Sequence, residues 1–253
     1  MNTNPVVLIP ARLESRRLPG KALADLSGVP MVIRCAKNAS DAGLQAWVCS
    51  DSPAIHEACR IWGIRHLATP AFDTGTDRST WAAQQLQADT MLVLQGDEPL
   101  ISPQALRVFS AAVLDAGNQT PCILNGLSSL DAAAAQDRNN VKAVQCADGS
   151  ISTLTRTSAA SDSPDQQSQG WLKQLGLYGG LRSSFEHFAE LGPSPMERDT
   201  SIEMLRWLEA GLVLQGVVLQ TPAISVDTQA DLEAARQWLS QADASPALRP
   251  EAR

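Results

Sequence analysis

The chain is poor in the side chains that most often build metal or redox centres. Its 253 residues include three histidines, His56, His66 and His187, of which only His56 has a cysteine close by, Cys59, and no set of four ligands is gathered in sequence, so a zinc site is not expected. Five cysteines, Cys35, Cys49, Cys59, Cys122 and Cys146, form no CxxC pair and lie mostly among apolar neighbours. They read as reduced, buried small hydrophobes. Long apolar runs are lacking, since none approaches the ~18 to 20 residues that span a bilayer, and no membrane partner is expected. The start has no basic n-region before its short apolar run, so no secretory signal is expected and the location is expected to be cytoplasmic. Positive charge is also in deficit. With 20 bases against 27 acids the net charge is −7 and the pI about 5.0, which argues against nucleic acid as a partner. Neither GxxxxGK[ST] nor a GxGxxG after a strand occurs, so the P-loop and the dinucleotide fingerprint are both excluded.

What remains is a core-forming composition, 44% apolar and 19% charged. Strand and helix signals alternate from the run Val6 to Ile9 onward. Helical spacing over Pro30 to Ala42, a strand at AWVCS, a helix at SPAIHEACRIWG, another at DRSTWAAQQLQA and a strand at TMLVLQ give a βαβα rhythm. This predicts an α/β fold with a Rossmann-like, mostly parallel central sheet, helices on both faces and a ligand crevice at the carboxyl ends of the strands. Strands are expected at CILNGL, VKAVQC, ISTLTR and LVLQGVVL, and helices around SSFEHFAEL, Thr200 to Ala210 and Gln229 to Leu239. The break in rhythm predicts one domain over residues 1–240, with a small inserted dimerisation subdomain at about 155–195 and a flexible tail over 241–253. No internal repeat is present.

Charge is concentrated in one place. The segment PARLESRRLPGKAL after the first strand carries Arg12, Arg16, Arg17 and Lys21 against the single acid Glu14. Guanidinium forks and a lysine at the end of a parallel strand suit a polyphosphate, and Pro19-Gly20 allows a tight turn. A solvated basic loop is the alternative on charge alone. Gly96-Asp97-Glu98-Pro99 follows an apolar strand, which puts Asp97 where a carboxylate can hold a hard cation such as Mg2+. Asp227 follows a second apolar segment, Ala223 to Val226, although Asp227-Thr228 also reads as a helix N-cap.

IPARLESRRLPGKAL, TGTDR, LQGDEPLI, RNNVKAV, LGLYGG, GPSPMERDTSIEMLRWLEAG and SVDTQADLEAA occur in an order and spacing that resemble the 3-deoxy-manno-octulosonate (Kdo) cytidylyltransferases. The resemblance implies a nucleotide-diphospho-sugar transferase type of fold, an Mg2+-dependent enzyme, and a homodimer serving lipopolysaccharide or capsule assembly. Its substrates would be CTP and a keto-sugar acid. Arg12, Lys21, Asp97 and Asp227 would be catalytic, with Asp97 and Asp227 holding the metal. Ala11, Arg12, Arg17, Lys21, Gly75, Thr76, Arg78 and Gln95 would bind the nucleotide, and Arg156, Gln174, Tyr178, Glu203 and Met204 the sugar. Departures from the family pattern fall on the sugar half: Gln174 replaces a histidine, Gly180 a tyrosine and Met204 a glutamine. Kdo is therefore the first candidate, with an amino or deoxy variant or a nonulosonic acid as alternatives. A sugar-phosphate nucleotidyltransferase and a non-catalytic nucleotide-binding homologue are the remaining rivals. Tyr178 has a second reading as a core residue.

Overall fold

The computed structural model describes residues 5–15, 17–117, 122–157 and 170–244. Arg16, the polar stretch 158–169 and residues 245–253 of the expected tail lie outside them. The first half runs β1 (Val6–Pro10), the hairpin β2 (Asp25–Leu26) and β3 (Val29–Pro30), α1 (Met31–Asp41), β4 (Gln45–Ser50), α2 (Pro53–Trp62), β5 (His66–Ala68), α3 (Gly75–Gln85) and β6 (Thr90–Leu94). The second runs α4 (Pro103–Ala116), β7 (Cys122–Leu130), α5 (Ala132–Gln136), β8 (Lys142–Gln145), β9 (Ile151–Thr155) and β10 (Trp171–Leu181). It ends with α6 (Arg182–Leu191), α7 (Pro195–Thr200), α8 (Leu205–Glu209), β11 (Val213–Val218) and α9 (Gln229–Ala244).

The main sheet has the order β11-β7-β10-β6-β1-β4-β5. Its pairs are parallel except at β10, which is antiparallel to both neighbours. Alternation along β1 divides the core, as period-2 side chains must. Val7 and Ile9 face α1, α2 and α4 through Ile33, Ala36, Ile55, Leu106 and Phe109. Leu8 belongs to the opposite layer, with Met91 and Val93 of β6, Ala83 of α3, Phe185 and Phe188 of α6 and Trp207 of α8. A smaller cluster pins α9, through Leu232, Ala235 and Leu239, to Leu26, Met31, Leu100 and Val226.

The span expected as an inserted subdomain, about 155–195, includes β10, a strand in the middle of the sheet that runs antiparallel to both neighbours, and α6. What leaves the main path is the β8–β9 hairpin, which pairs with the start of β10 at Leu172 and Lys173. The single helix expected over Thr200 to Ala210 is divided, since Ser201 adopts the left-handed region (φ 55°) and ends α7. Sequence reasoning assigns no element between Pro99 and Cys122, yet Ser102 caps α4 there and Leu106, Phe109 and Val113 bury one face of it. Residues 241–244 of the expected tail continue α9. No helix among the described residues is long and apolar enough to cross a membrane.

Candidate active site

A cavity of about 1200 Å³ opens at the carboxyl ends of β1 and β6 and is closed on one side by the first half of β10. The basic loop forms one wall. Gly20 has φ 71°, a conformation that favours glycine, and it starts the short 3-10 turn Lys21–Leu23 that sends Lys21 inward. The Lys21 ammonium donates to Asp97 Oδ2 at 2.7 Å and to Asp227 Oδ1 at 2.9 Å. Arg17 reaches the other oxygen of Asp227 at 2.9 Å. Burial opposes the charge on Lys21, but the two carboxylates outweigh it and hold its pKa above the ordinary value. Asp227 shows the converse: burial pushes its carboxyl up, and Lys21 and Arg17 hold it below the usual range. Arg12 is exposed on the same wall.

At the start of α9 the cap sits one residue beyond Asp227. Thr228, not Asp227, caps α9: its hydroxyl accepts from the Asp231 N–H at 3.3 Å, while Asp231 Oδ2 accepts from the Thr228 N–H at 2.8 Å. The Asp227 carboxylate is thereby left to face Lys21 and Arg17. The donor set suits a hard divalent cation, because two carboxylates converge on a single positive centre, which Lys21 supplies here. Among the described residues no group of three or more His, Cys, Asp or Glu gathers around a metal position. A cation at Asp97 and Asp227 would complete its shell with phosphate and water oxygens.

Ala11, Gly75, Arg78 and Gln95 also line the cavity. Arg78 is held rigidly, donating to Asp51 Oδ1 at 3.0 Å and Thr69 Oγ1 at 2.6 Å. Thr76, expected on the nucleotide side, is fully buried in α3 and does not line the cavity. Its hydroxyl donates to Glu203 Oε2 at 2.5 Å, and Glu203 does line it. Burial raises the pKa of Glu203.

The opposite wall is built on β10. Its pairing with β7 slips between Gln174 and Tyr178, and a bulge of this kind re-aims side chains. Both residues line the cavity. Gln174 donates to Asn125 Oδ1 at 2.8 Å, and Tyr178 is 5% exposed, burial pushing its phenol well above the ordinary range. Tyr178 packs in the second core layer and also lines the cavity. Arg156 lines the same wall, with its guanidinium committed to the carbonyls of Thr200, Arg138 and Ser201. Met204, expected on the sugar side, has no exposure, packs in the core behind Glu203 and does not line the cavity. Gly180 also lies away from the cavity, where an added Cβ would stand 3.0 Å from the Cys122 carbonyl. Of the three departures noted in the sequence, only Gln174 reaches the cavity.

Sequence reasoning missed Glu98, Lys173 and the pair Asn139-Asn140, all of which line the cavity. Glu98 is 3% exposed, and burial pushes its carboxyl up to about 7. Its position in Gly96-Asp97-Glu98-Pro99 was the available signal.

The Cytidylyltransferase family model matches residues 6–211. A 3-deoxy-manno-octulosonate cytidylyltransferase of Chlorobium limicola is 35% identical over 241 residues, covering 93% of this chain and 97% of that protein. One of Mesorhizobium japonicum is 34% identical, covering 93% and 98%. Among solved structures, a CMP:2-keto-3-deoxy-manno-octonic acid synthetase complexed with CTP superposes with a TM-score of 0.83 at 30% identity, covering 94% of this chain and 99% of that one. An apo UDP-glucose pyrophosphorylase, at 12% identity and a TM-score of 0.67, shares the fold. With its sheet order, its basic loop and its two opposed carboxylates in place, the chain belongs to the 3-deoxy-manno-octulosonate cytidylyltransferase family.

Proposed function

We propose that the chain transfers CMP from CTP to the anomeric hydroxyl of a 2-keto-3-deoxy sugar acid, with Kdo as the first substrate, and releases pyrophosphate. The observation that carries this reading is the pairing of a cationic loop with two carboxylates at one end of a large cavity, in a chain related to Kdo cytidylyltransferases over 93% of its length. Arg12, Arg17 and Lys21 bind the triphosphate and stabilise pyrophosphate as it departs, since phosphoryl-type transfer needs positioning and charge neutralisation above all. Ala11, Gly75, Arg78 and Gln95 form the nucleotide side; Arg156, Gln174, Tyr178 and Glu203 form the sugar side. Asp97 and Asp227 would hold Mg2+, which when bound would supply charge neutralisation and a more acidic attacking hydroxyl. The sugar oxygen bonds to the α-phosphorus as the bond from that phosphorus to the bridging oxygen breaks, and the hydroxyl proton passes to water. A homodimer acting in the cytoplasm, supplying an activated sugar for lipopolysaccharide or capsule assembly, belongs to the same proposal.

Purified protein with CTP, Mg2+ and a panel of keto-sugar acids is expected to release pyrophosphate, with Kdo the preferred acceptor. Preference for an amino or deoxy variant would move the proposal to that acid, the outcome that Gln174 in the sugar wall would favour. Release with sugar phosphates and with no free acid would overturn it.

A further inference from the structure

The turn after β6 holds more than Asp97. The next side chain, Glu98, accepts two hydrogen bonds on one oxygen, from the Gly176 N–H at 2.8 Å and from the Ser225 hydroxyl at 2.7 Å. The first bond reaches β10 at the point where its pairing with β7 slips. A bulge leaves backbone groups without ladder partners. Gly176 finds both of its partners on the β6 turn: its N–H goes to Glu98, and its carbonyl accepts from the Gln95 N–H at 2.8 Å. The second bond reaches the segment that carries Asp227, two residues beyond Ser225. The Val226 N–H in turn donates to the Asp97 carbonyl at 2.9 Å. Lys173, whose ammonium donates to the Ala223 carbonyl at 3.0 Å, ties β10 to the same segment.

A buried carboxylate is a costly way to fasten a core, and a well-packed apolar side chain would usually do so at lower cost. Glu98 instead joins three backbone segments that present different parts of the cavity: Asp97, Asp227, and the bulge bearing Gln174 and Tyr178. We propose that Glu98 is a positioning residue for the reaction, bracing Asp97 and Asp227 at the separation a shared divalent cation requires and registering the sugar wall against them. This rests on the reading of Asp97 and Asp227 as the metal pair.

The test measures binding of Mn2+ alone by the paramagnetic resonance of the free ion, together with kcat, KM for CTP and thermal stability. Wild type, Glu98→Ala, Glu98→Gln, Ser225→Ala and, as reference, Asp97→Asn are compared. Loss of the brace in Glu98→Ala is expected to weaken Mn2+ binding and lower kcat about tenfold each, with KM for CTP within about twofold. Glu98→Gln keeps an oxygen that can accept both bonds and is expected to recover most of both losses. Ser225→Ala removes one bond and is expected to weaken Mn2+ binding about threefold; it decides the matter if Glu98→Ala does not fold. Wild-type Mn2+ binding in a folded Glu98→Ala, or in Ser225→Ala when the alanine variant fails to fold, overturns the proposal. So does a glutamine variant as impaired as the alanine. Unchanged Mn2+ binding in Asp97→Asn would instead remove the metal-pair reading itself, so the two failures are distinguishable.

Discussion

The two ends of the cavity are built on opposite principles. At the end formed by the basic loop, proposed above as the phosphate end, the charged groups face one another and the solvent: Arg17 is 54% exposed along its side chain, and Asp227 30%. An incoming anion or cation can take over these contacts with little change to the core. At the end formed by β10, proposed above as the sugar end, the polar groups are already committed to the protein. Arg156 spends its donors on carbonyls, Gln174 donates to Asn125, and Glu203 accepts from Thr76. Behind them Arg206 and Glu197 form a bidentate pair at 2.7 and 2.8 Å, at 2% and 9% side-chain exposure. On the proposed reading this is a division of labour: charge beside the basic loop is free to serve ligands, and charge beside β10 holds the wall in shape.

The sharpest way to break that contrast is at Glu197. It accepts from Arg206 twice, and it completes a capping box with Ser194 at the start of α7. Glu197→Ala leaves a buried guanidinium over the Phe188 ring, 4.3 Å away, without its counter-charge. The expected loss is about 3–5 kcal/mol of stability, read from denaturant unfolding. A loss below about 1 kcal/mol, the range of exposed pairs, would show that this end is not held by its charges.

Lys21→Ala tests the other side of the comparison. Here the expected cost is in rate, about a hundredfold in kcat/KM, because a cation facing developing phosphate charge is removed. Stability should change by only about 1 kcal/mol, since the site opens onto the solvent-filled cavity and Arg17 remains on Asp227. A large stability loss with near-normal turnover would place Lys21 with the structural charges and erase the distinction.

The same division decides what could be read from the sequence. The basic-loop end could be read in outline because its bases are close neighbours in one loop and Asp97 follows an apolar strand; Asp227 follows the apolar segment Ala223 to Val226, which is no strand in the structure and is tied to the β6 turn by the Val226 N–H on the Asp97 carbonyl. The sugar end depends on contacts across 127 residues, as between Thr76 and Glu203, and on a strand, β10, whose reversed direction no local pattern announces. Met204 enters the expected sugar site, and Gly180 the departures, only through the resemblance to the family pattern. Gly180, two residues beyond Tyr178 on β10, lies outside the cavity lining. Met204 turns into the core as α8 begins. Glu98 was overlooked for a related reason: its role lies in Gly176 and Ser225, 78 and 127 residues away.

The smallest effect separates Gln174 from Met204. Gln174 touches the cavity, and its amide already donates to Asn125 Oδ1 at 2.8 Å, so Gln174→His exchanges one hydrogen-bonding group for another at the wall. A change of about threefold to tenfold in kcat/KM for Kdo relative to other keto-sugar acids is expected, with CTP use unaltered. Met204→Gln puts an amide where the side chain has no exposure, and an unsatisfied buried amide costs about 1–3 kcal/mol. It should therefore lower stability while leaving the ranking of sugar acids as it was. If Met204→Gln reorders the acids and Gln174→His does not, the wall is tuned through the core behind it, and selectivity at the sugar end belongs to packing more than to the side chains that face the cavity.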